Sequence, residues 1–279
     1  MPFEQLNFDM RKSQPKSGES LDDILQELRK LQEKYFKSAS KENKKRIEQR
    51  QFELVEQLKK QAEKILAKTE DETISQEERD KLMGQYGFTM DQLAINLPWS
   101  EISLGKERDI QNQALETLQL YFKLHPQAKE VARSIFMLFH HGAGINKELT
   151  ADAYQRLLQK QPPSQEFAYQ YMEAENKGKS FLEKYIALVL NKERFSLDND
   201  YQELIKIEQI SNEQFSLILD VANWFRRVAY YQKIAGITEG REINIQRAIE
   251  LYKKLAKQNA SFNKFIDEIY KEQGINESK

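Results

Sequence analysis

The sequence predicts an all-α protein with an N-terminal antiparallel helical hairpin of coiled-coil type and a larger multi-helix bundle. Apolar residues recur at spacings of three and four along most of the chain, and no stretch shows the sustained alternation typical of a β-strand. Only 10 glycines and 6 prolines occur among 279 residues, which is few for a turn-rich β fold. A chain of this length can bury a sizeable core.

The stretch 211–236 predicts the most buried helix of the protein. Ser211 and Gln214 have the spacing of a capping box, and Gly236 suits the left-handed residue that ends many helices. The polar residues of the stretch fall on one narrow strip: Ser216, Asp220, Asn223 and Arg227. Nearly all other positions are apolar or aromatic, so we expect the other helices to pack around this one.

Periodicity and breaks divide the chain into four segments. Residues 1–19 are polar and predict a flexible N-terminal arm. The heptad-like seams of 20–68 predict the hairpin. Residues 69–105 predict an irregular connector with short helices, and 106–279 predict the helical bundle domain.

Glycines and prolines predict the breaks between these helices. Gly84 and Gly87 are expected to interrupt the connector, where Trp99 should pack into the core. In the bundle, Pro162-Pro163 and Gly178 are expected to separate helices over 147–161, 164–177 and 179–194.

Composition restricts the function. The 43 Lys+Arg and 44 Asp+Glu give a net charge of -1, so the whole chain has no electrostatic preference for nucleic acid or an anionic membrane. The absence of cysteine excludes disulfides, thiolate metal sites and cysteine nucleophiles. No signal-type or membrane-spanning apolar run is visible, and a soluble, cytoplasmic protein is expected.

The adjacent His140 and His141 are the most suggestive chemical feature. Adjacent helical residues diverge by about 100°, and no zinc-helix spacing includes either histidine. We expect both imidazoles to cap the helix that ends near Gly142. Glu173 and Glu175 lie two residues apart, should face different sides of a helix, and are not expected to form an acid–base pair. The sequence therefore predicts no catalytic residue, metal or cofactor.

Two basic clusters are candidate contacts for a partner or for nucleic acid. The first contains Lys44, Lys45, Arg46 and Arg50, and interspersed glutamates favour a solvated helix flank over a nucleic-acid patch. The second is Arg226 and Arg227, beside Trp224, Tyr230 and Tyr231. These arginines and rings could hold phosphates and stack bases, or Arg227 could pair internally with Asp220 or Asn223.

The function expected from these features is a non-catalytic helical interaction protein, either an adaptor or a subunit of a larger assembly. The hairpin 20–68 is expected to bind a protein partner or a second copy, because two short helices cannot bury their own seam. A nucleic-acid-binding helical subunit is the alternative. An enzyme with an unrecognised helical site near His140 and His141 is the third hypothesis.

Overall fold

The fold is built from helices alone. The computed structural model describes residues 20–37, 40–96 and 103–274, which form eleven α-helices and one short 3-10 helix without a β-strand. The all-α prediction is thereby confirmed. The chain divides into two compact units, 1–135 and 136–279. The predicted arm 1–19 and Trp99 lie outside the described residues.

The first unit contains four helices and the beginning of a fifth. These are α1 (Leu21–Lys37), α2 (Lys41–Thr69), α3 (Gln76–Asn96), α4 (Ser103–Leu124) and α5 (Lys129–His140), which continues into the second unit. Helices α1 and α2 correspond to the predicted hairpin, and Ile24, Leu28, Leu54 and Leu58 of its seam are buried. Helix α2 also packs against α3, and α3 against α4. The hairpin therefore has a neighbouring helix within its own unit.

The two glycines of α3 differ from expectation. Gly84 and Gly87 lie inside one continuous helix instead of interrupting it. A Cβ atom on Gly84 would lie 2.8 Å from the Tyr121 ring, and one on Gly87 would lie 2.9 Å from the Leu118 side chain. Both glycines therefore allow α3 and α4 to approach closely, a role that depends on the partner helix and not on local turn formation.

The second unit surrounds one long buried helix. After the end of α5 it contains α6 (Lys147–Leu158), α7 (Gln165–Val189), α8 (Tyr201–Lys206), α9 (Asn212–Ala235), α10 (Arg241–Ala256), a 3-10 turn (Ala260–Phe262) and α11 (Asn263–Gln273). Helix α9 has the predicted capping box and a left-handed Gly236 with φ of 74°. It packs mainly against α10 and α7, and Trp224 and Phe225 are buried. The predicted central helix is therefore the core of this unit.

Gly178 is not the helix break that was expected. Helix α7 runs through it without interruption from Gln165 to Val189. A Cβ atom at this position would lie 2.9 Å from Cβ of Phe139, on α5. Since Cβ of Phe139 is fixed to the backbone, the close packing of α7 on α5 requires a residue without a side chain here.

We predict that Gly178→Ala destabilises the protein by a net amount of about 1–2 kcal/mol. Overpacking the contact with the rigid Cβ of Phe139 should cost about 2–3 kcal/mol. The gain of about 1 kcal/mol in helix propensity offsets only part of this cost. Urea unfolding followed by circular dichroism measures the change. The control is Asn176→Ala on the exposed side of the same helix, which should be neutral or stabilising. A G178A protein as stable as wild type would contradict the packing argument.

Candidate functional site

The most unusual chemistry in the second unit is a cluster of buried polar residues where three helices meet. His140 is the last residue of α5, Tyr171 and Glu175 lie one turn apart on α7, and Arg227 comes from α9. His140, Tyr171 and Glu175 are all buried. Burying this many polar groups is costly unless each finds a partner, so their contacts decide what the cluster can do.

Arg227 and Tyr171 together bind the end of α5. The Tyr171 hydroxyl donates a hydrogen bond to the backbone carbonyl of His140. One guanidinium nitrogen of Arg227 donates to that same carbonyl and to the Tyr171 hydroxyl oxygen. The last carbonyls of a helix have no partner within the helix, and here a residue from each neighbouring helix satisfies one of them.

His140 and Glu175 form a close buried pair. Nδ1 of His140 lies 2.7 Å from Oε1 of Glu175, and the two side chains are 6% and 0% exposed. No hydrogen bond of regular geometry reaches this nitrogen or either carboxyl oxygen, so the 2.7 Å contact is the main polar contact of both groups in the described structure. The expected helix-capping role of the His140 imidazole is therefore wrong, because the ring is directed to a carboxyl group on α7.

Burial controls the protonation of this pair. Burial raises the pKa of Glu175 to about 8, although the positive charge of Arg227 opposes the increase. Burial also lowers the pKa of His140 well below its usual value, and Arg227 lowers it further. Near neutral pH both groups are therefore uncharged, and the carboxylic acid can donate its proton to Nδ1. We assign a neutral acid–base pair and not an ion pair, because burial disfavours both charges.

Glu175 is the residue that the sequence argument missed. The prediction that Glu173 and Glu175 face different sides is correct, since Glu173 is exposed and pairs with Lys177 at 2.8 Å. The three- and four-residue spacing of positions along α7 did contain a signal that Glu175 is buried. The buried positions Tyr171, Glu175, Gly178 and Leu182 of α7 are three or four residues apart, which places Glu175 on the apolar face.

The first basic cluster is engaged in local pairs. Arg50 bonds Glu27 of α1 at 2.8 and 3.2 Å and Glu53 at 2.9 Å. Arg46 pairs with Glu42 at 3.0 Å. Lys44 lies over the Tyr35 ring, and Lys45 is exposed. Such local ion pairs are typical of the charged, solvated flank of a helical hairpin. They leave little net positive charge in this cluster.

Helix packing directs the two arginines of the second basic cluster to different contacts. Arg227 enters the buried cluster, so its internal pairing is with His140 and Tyr171 and not with Asp220 or Asn223. Arg226 pairs with Glu272 and, at 3.0 Å, with Glu268 of α11. The two adjacent arginines therefore serve different contacts and do not form one surface for phosphate groups.

Helix α6 has an exposed surface and a cleft beside its last turn. No residue of α6 is buried, and Leu157 and Leu158 are 63% and 56% exposed. An open cleft of about 700 Å³ begins at its last turn. The cleft is lined by Arg156, Pro162, Pro163, Ser164, Gln165, Tyr230, Lys233, Ile234 and Glu272. None of these belongs to the buried cluster.

Neither known proteins nor the described side chains identify a reaction. No protein family model, curated protein or solved structure matches the chain. Among residues 20–37, 40–96 and 103–274, no group of three or more histidine or carboxylate side chains could hold a metal ion. No helix in these ranges has the length and apolar character required to cross a bilayer.

We predict that replacing the two adjacent arginines has unequal effects. Arg227→Met should destabilise the protein by at least about 2 kcal/mol, because the His140 carbonyl and the Tyr171 hydroxyl oxygen each lose a charged donor in a buried site. Arg226→Met should cost about 1 kcal/mol or less, since its carboxylate partners remain partly exposed to water. Chemical denaturation of both variants measures the difference. Equal losses would mean that Arg227 does not have the buried role described.

Proposed function

We propose that this protein is a non-catalytic helical interaction protein, an adaptor or a subunit of a larger assembly. It binds a protein partner through α6 and the adjoining surface of the second unit. The observation that carries the proposal is that α6 has no fully buried side chain and exposes two leucines, Leu157 and Leu158, in its last turn.

Helix α6 packs only against α7 among the helix pairs with several contacts in the described structure. It has 12 residues, a length at which an isolated helix is only marginally stable in water. Asn146 caps its start by accepting hydrogen bonds from the backbone of Glu148 at 2.8 Å and Leu149 at 3.3 Å. A cap contributes only about 1 kcal/mol, so apolar cover from another molecule would add substantially to the stability of α6.

The chemistry of this surface favours an apolar face of another protein over nucleic acid. The charged residues of α6 are two basic and two acidic: Lys147, Glu148, Asp152 and Arg156. Arg156 is already paired with Asp152 at 2.7 Å. The exposed large apolar residues of α6 are Leu157 and Leu158. A balanced surface with exposed leucines offers burial of apolar area and little attraction for phosphates.

This surface replaces the hairpin as the main candidate for partner binding. The hairpin was expected to bind a partner because its seam would be incompletely covered, but α3 packs on α2 and the central seam residues are buried. Nucleic-acid binding receives less support, because Arg46, Arg50, Arg226 and Arg227 all have partners within the chain.

We predict that Leu157→Lys combined with Leu158→Lys weakens partner binding by at least about 30-fold. This corresponds to the loss of roughly 2 kcal/mol of binding free energy from apolar surface that is no longer buried. Lysine is compatible with the last turn of a helix, so α6 itself should persist. The matched control is Leu120→Lys combined with Leu124→Lys, a pair of similarly exposed leucines at the end of α4.

The measurement is affinity isolation from the native host, performed with and without nuclease treatment, followed by binding titration with each protein recovered. Support requires a protein that binds the wild type and the α4 control but not the α6 variant. Equal binding to all three would refute the role of α6. Material that disappears with nuclease would favour the nucleic-acid alternative.

A further inference from the structure

His140 on α5 and Glu175 on α7 are two buried titratable groups in direct contact. We propose that His140 and Glu175 act as an acid-sensitive latch in the second unit. One proton held between them keeps α5, α7 and α9 together, and a second proton taken up on acidification opens this junction. The inference is independent of the partner-binding surface proposed for α6.

The geometry leaves few groups that could compensate a new charge. Directly after α5, the His141 ring lies 6.0 Å from the His140 ring, centroid to centroid. From α7, Tyr171 contacts the His140 carbonyl. From α9, Arg227 contacts the same carbonyl, and Tyr231 stacks on Tyr171 with ring centroids 4.0 Å apart. The permanent charge among these neighbours is the positive charge of Arg227.

A second proton on the pair therefore adds an unfavourable positive charge to the junction of α5, α7 and α9. With one proton on the pair, Glu175 and His140 are both neutral and Arg227 supplies the single positive charge. A second proton makes His140 an imidazolium beside Arg227 while Glu175 remains protonated, so two positive charges share one buried space without a carboxylate. The repulsion and the burial of both charges favour separation of the helices.

Proton counting on folding gives the sign of the pH dependence. In the unfolded chain the usual pKa values are 4.5 for Glu175 and 6.5 for His140. Between these values the unfolded pair holds one proton, on the histidine, and the folded pair also holds one, on the carboxyl group. Folding thus moves a proton from His140 to Glu175 with no net uptake, and stability from this pair is constant in that range.

Outside that pH range, Glu175 lowers the stability as pH rises and His140 lowers it as pH falls. Above pH 6.5 the unfolded pair loses its last proton, whereas the folded Glu175 keeps one up to about pH 8, so stability falls as pH rises through this window. Below pH 4.5 the unfolded pair holds two protons and the folded pair one, so stability falls as pH decreases. Each difference of one proton changes the folding equilibrium constant about tenfold per pH unit.

The test compares Glu175→Gln, His140→Gln and the control His141→Gln. All variants carry Trp99→Phe, which leaves Trp224 as the single tryptophan of the chain. Trp224 is buried, and its indole nitrogen lies 3.4 Å from the backbone oxygen of Glu175, so its fluorescence reports on this junction. Urea unfolding is measured from pH 4 to pH 9.

The expected profiles differ between the variants. The folding equilibrium constant of E175Q should fall about tenfold per pH unit as pH decreases below 6.5. It should no longer fall as pH rises from 6.5 to 8. H140Q should lose stability as pH rises from 4.5 to 8 and should lack the loss below pH 4.5. H141Q should keep the wild-type profile. Parallel profiles for wild type and E175Q would overturn the proposal.

A second measurement uses the wild-type fold alone and applies even if a variant does not fold. Infrared spectra at pH 7 should contain a carboxylic acid C=O band that shifts when glutamate is labelled with ¹³C. Because burial raises the pKa of Asp91 to about 7, an aspartic acid band is also expected, and selective glutamate labelling separates the two. The absence of a glutamate-derived band at pH 7 would likewise overturn the proposal.

Discussion

The burial of α9 is the constraint on which the second unit depends. A helix that is apolar around most of its circumference must be covered on several sides, and α10 and α7 provide the main cover. The few polar groups on such a helix must then find partners inside the protein. Asn223 accepts a 2.5 Å hydrogen bond from the Tyr252 hydroxyl, and Arg227 binds the end of α5. These two polar residues of α9 thus each bind a neighbouring helix.

The buried polar cluster follows from the same constraint. Arg227 reaches the His140 carbonyl because α5 ends against α9, and Gly178 permits α7 to lie close to α5. Glu175 is then enclosed, and its carboxyl group has the His140 ring as its polar neighbour at 2.7 Å. An apolar pair would fill this space at less cost in desolvation. The polar pair adds a dependence on protonation that an apolar pair cannot have.

The buried cluster and the surface of α6 are different kinds of structural feature. The cluster is enclosed, and neither His140 nor Glu175 lines the cleft beside α6. Helix α6 is the opposite case, because it has exposed leucines and no fully buried side chain. Internal polar groups of this kind control the stability of a unit, whereas exposed apolar groups provide area for association.

The sequence by itself determined the helical class, the central position of 212–235 and the ends of that helix, because periodicity and capping depend on residues a few positions apart. Only the tertiary structure decided the roles of Gly84, Gly87 and Gly178, since a glycine that breaks a helix and one that allows close packing look the same in one dimension. The pairing of His140 with Glu175, 35 residues apart, was likewise beyond local spacing. Its formation depends on α5 and α7 being packed side by side, which is a property of the assembled core.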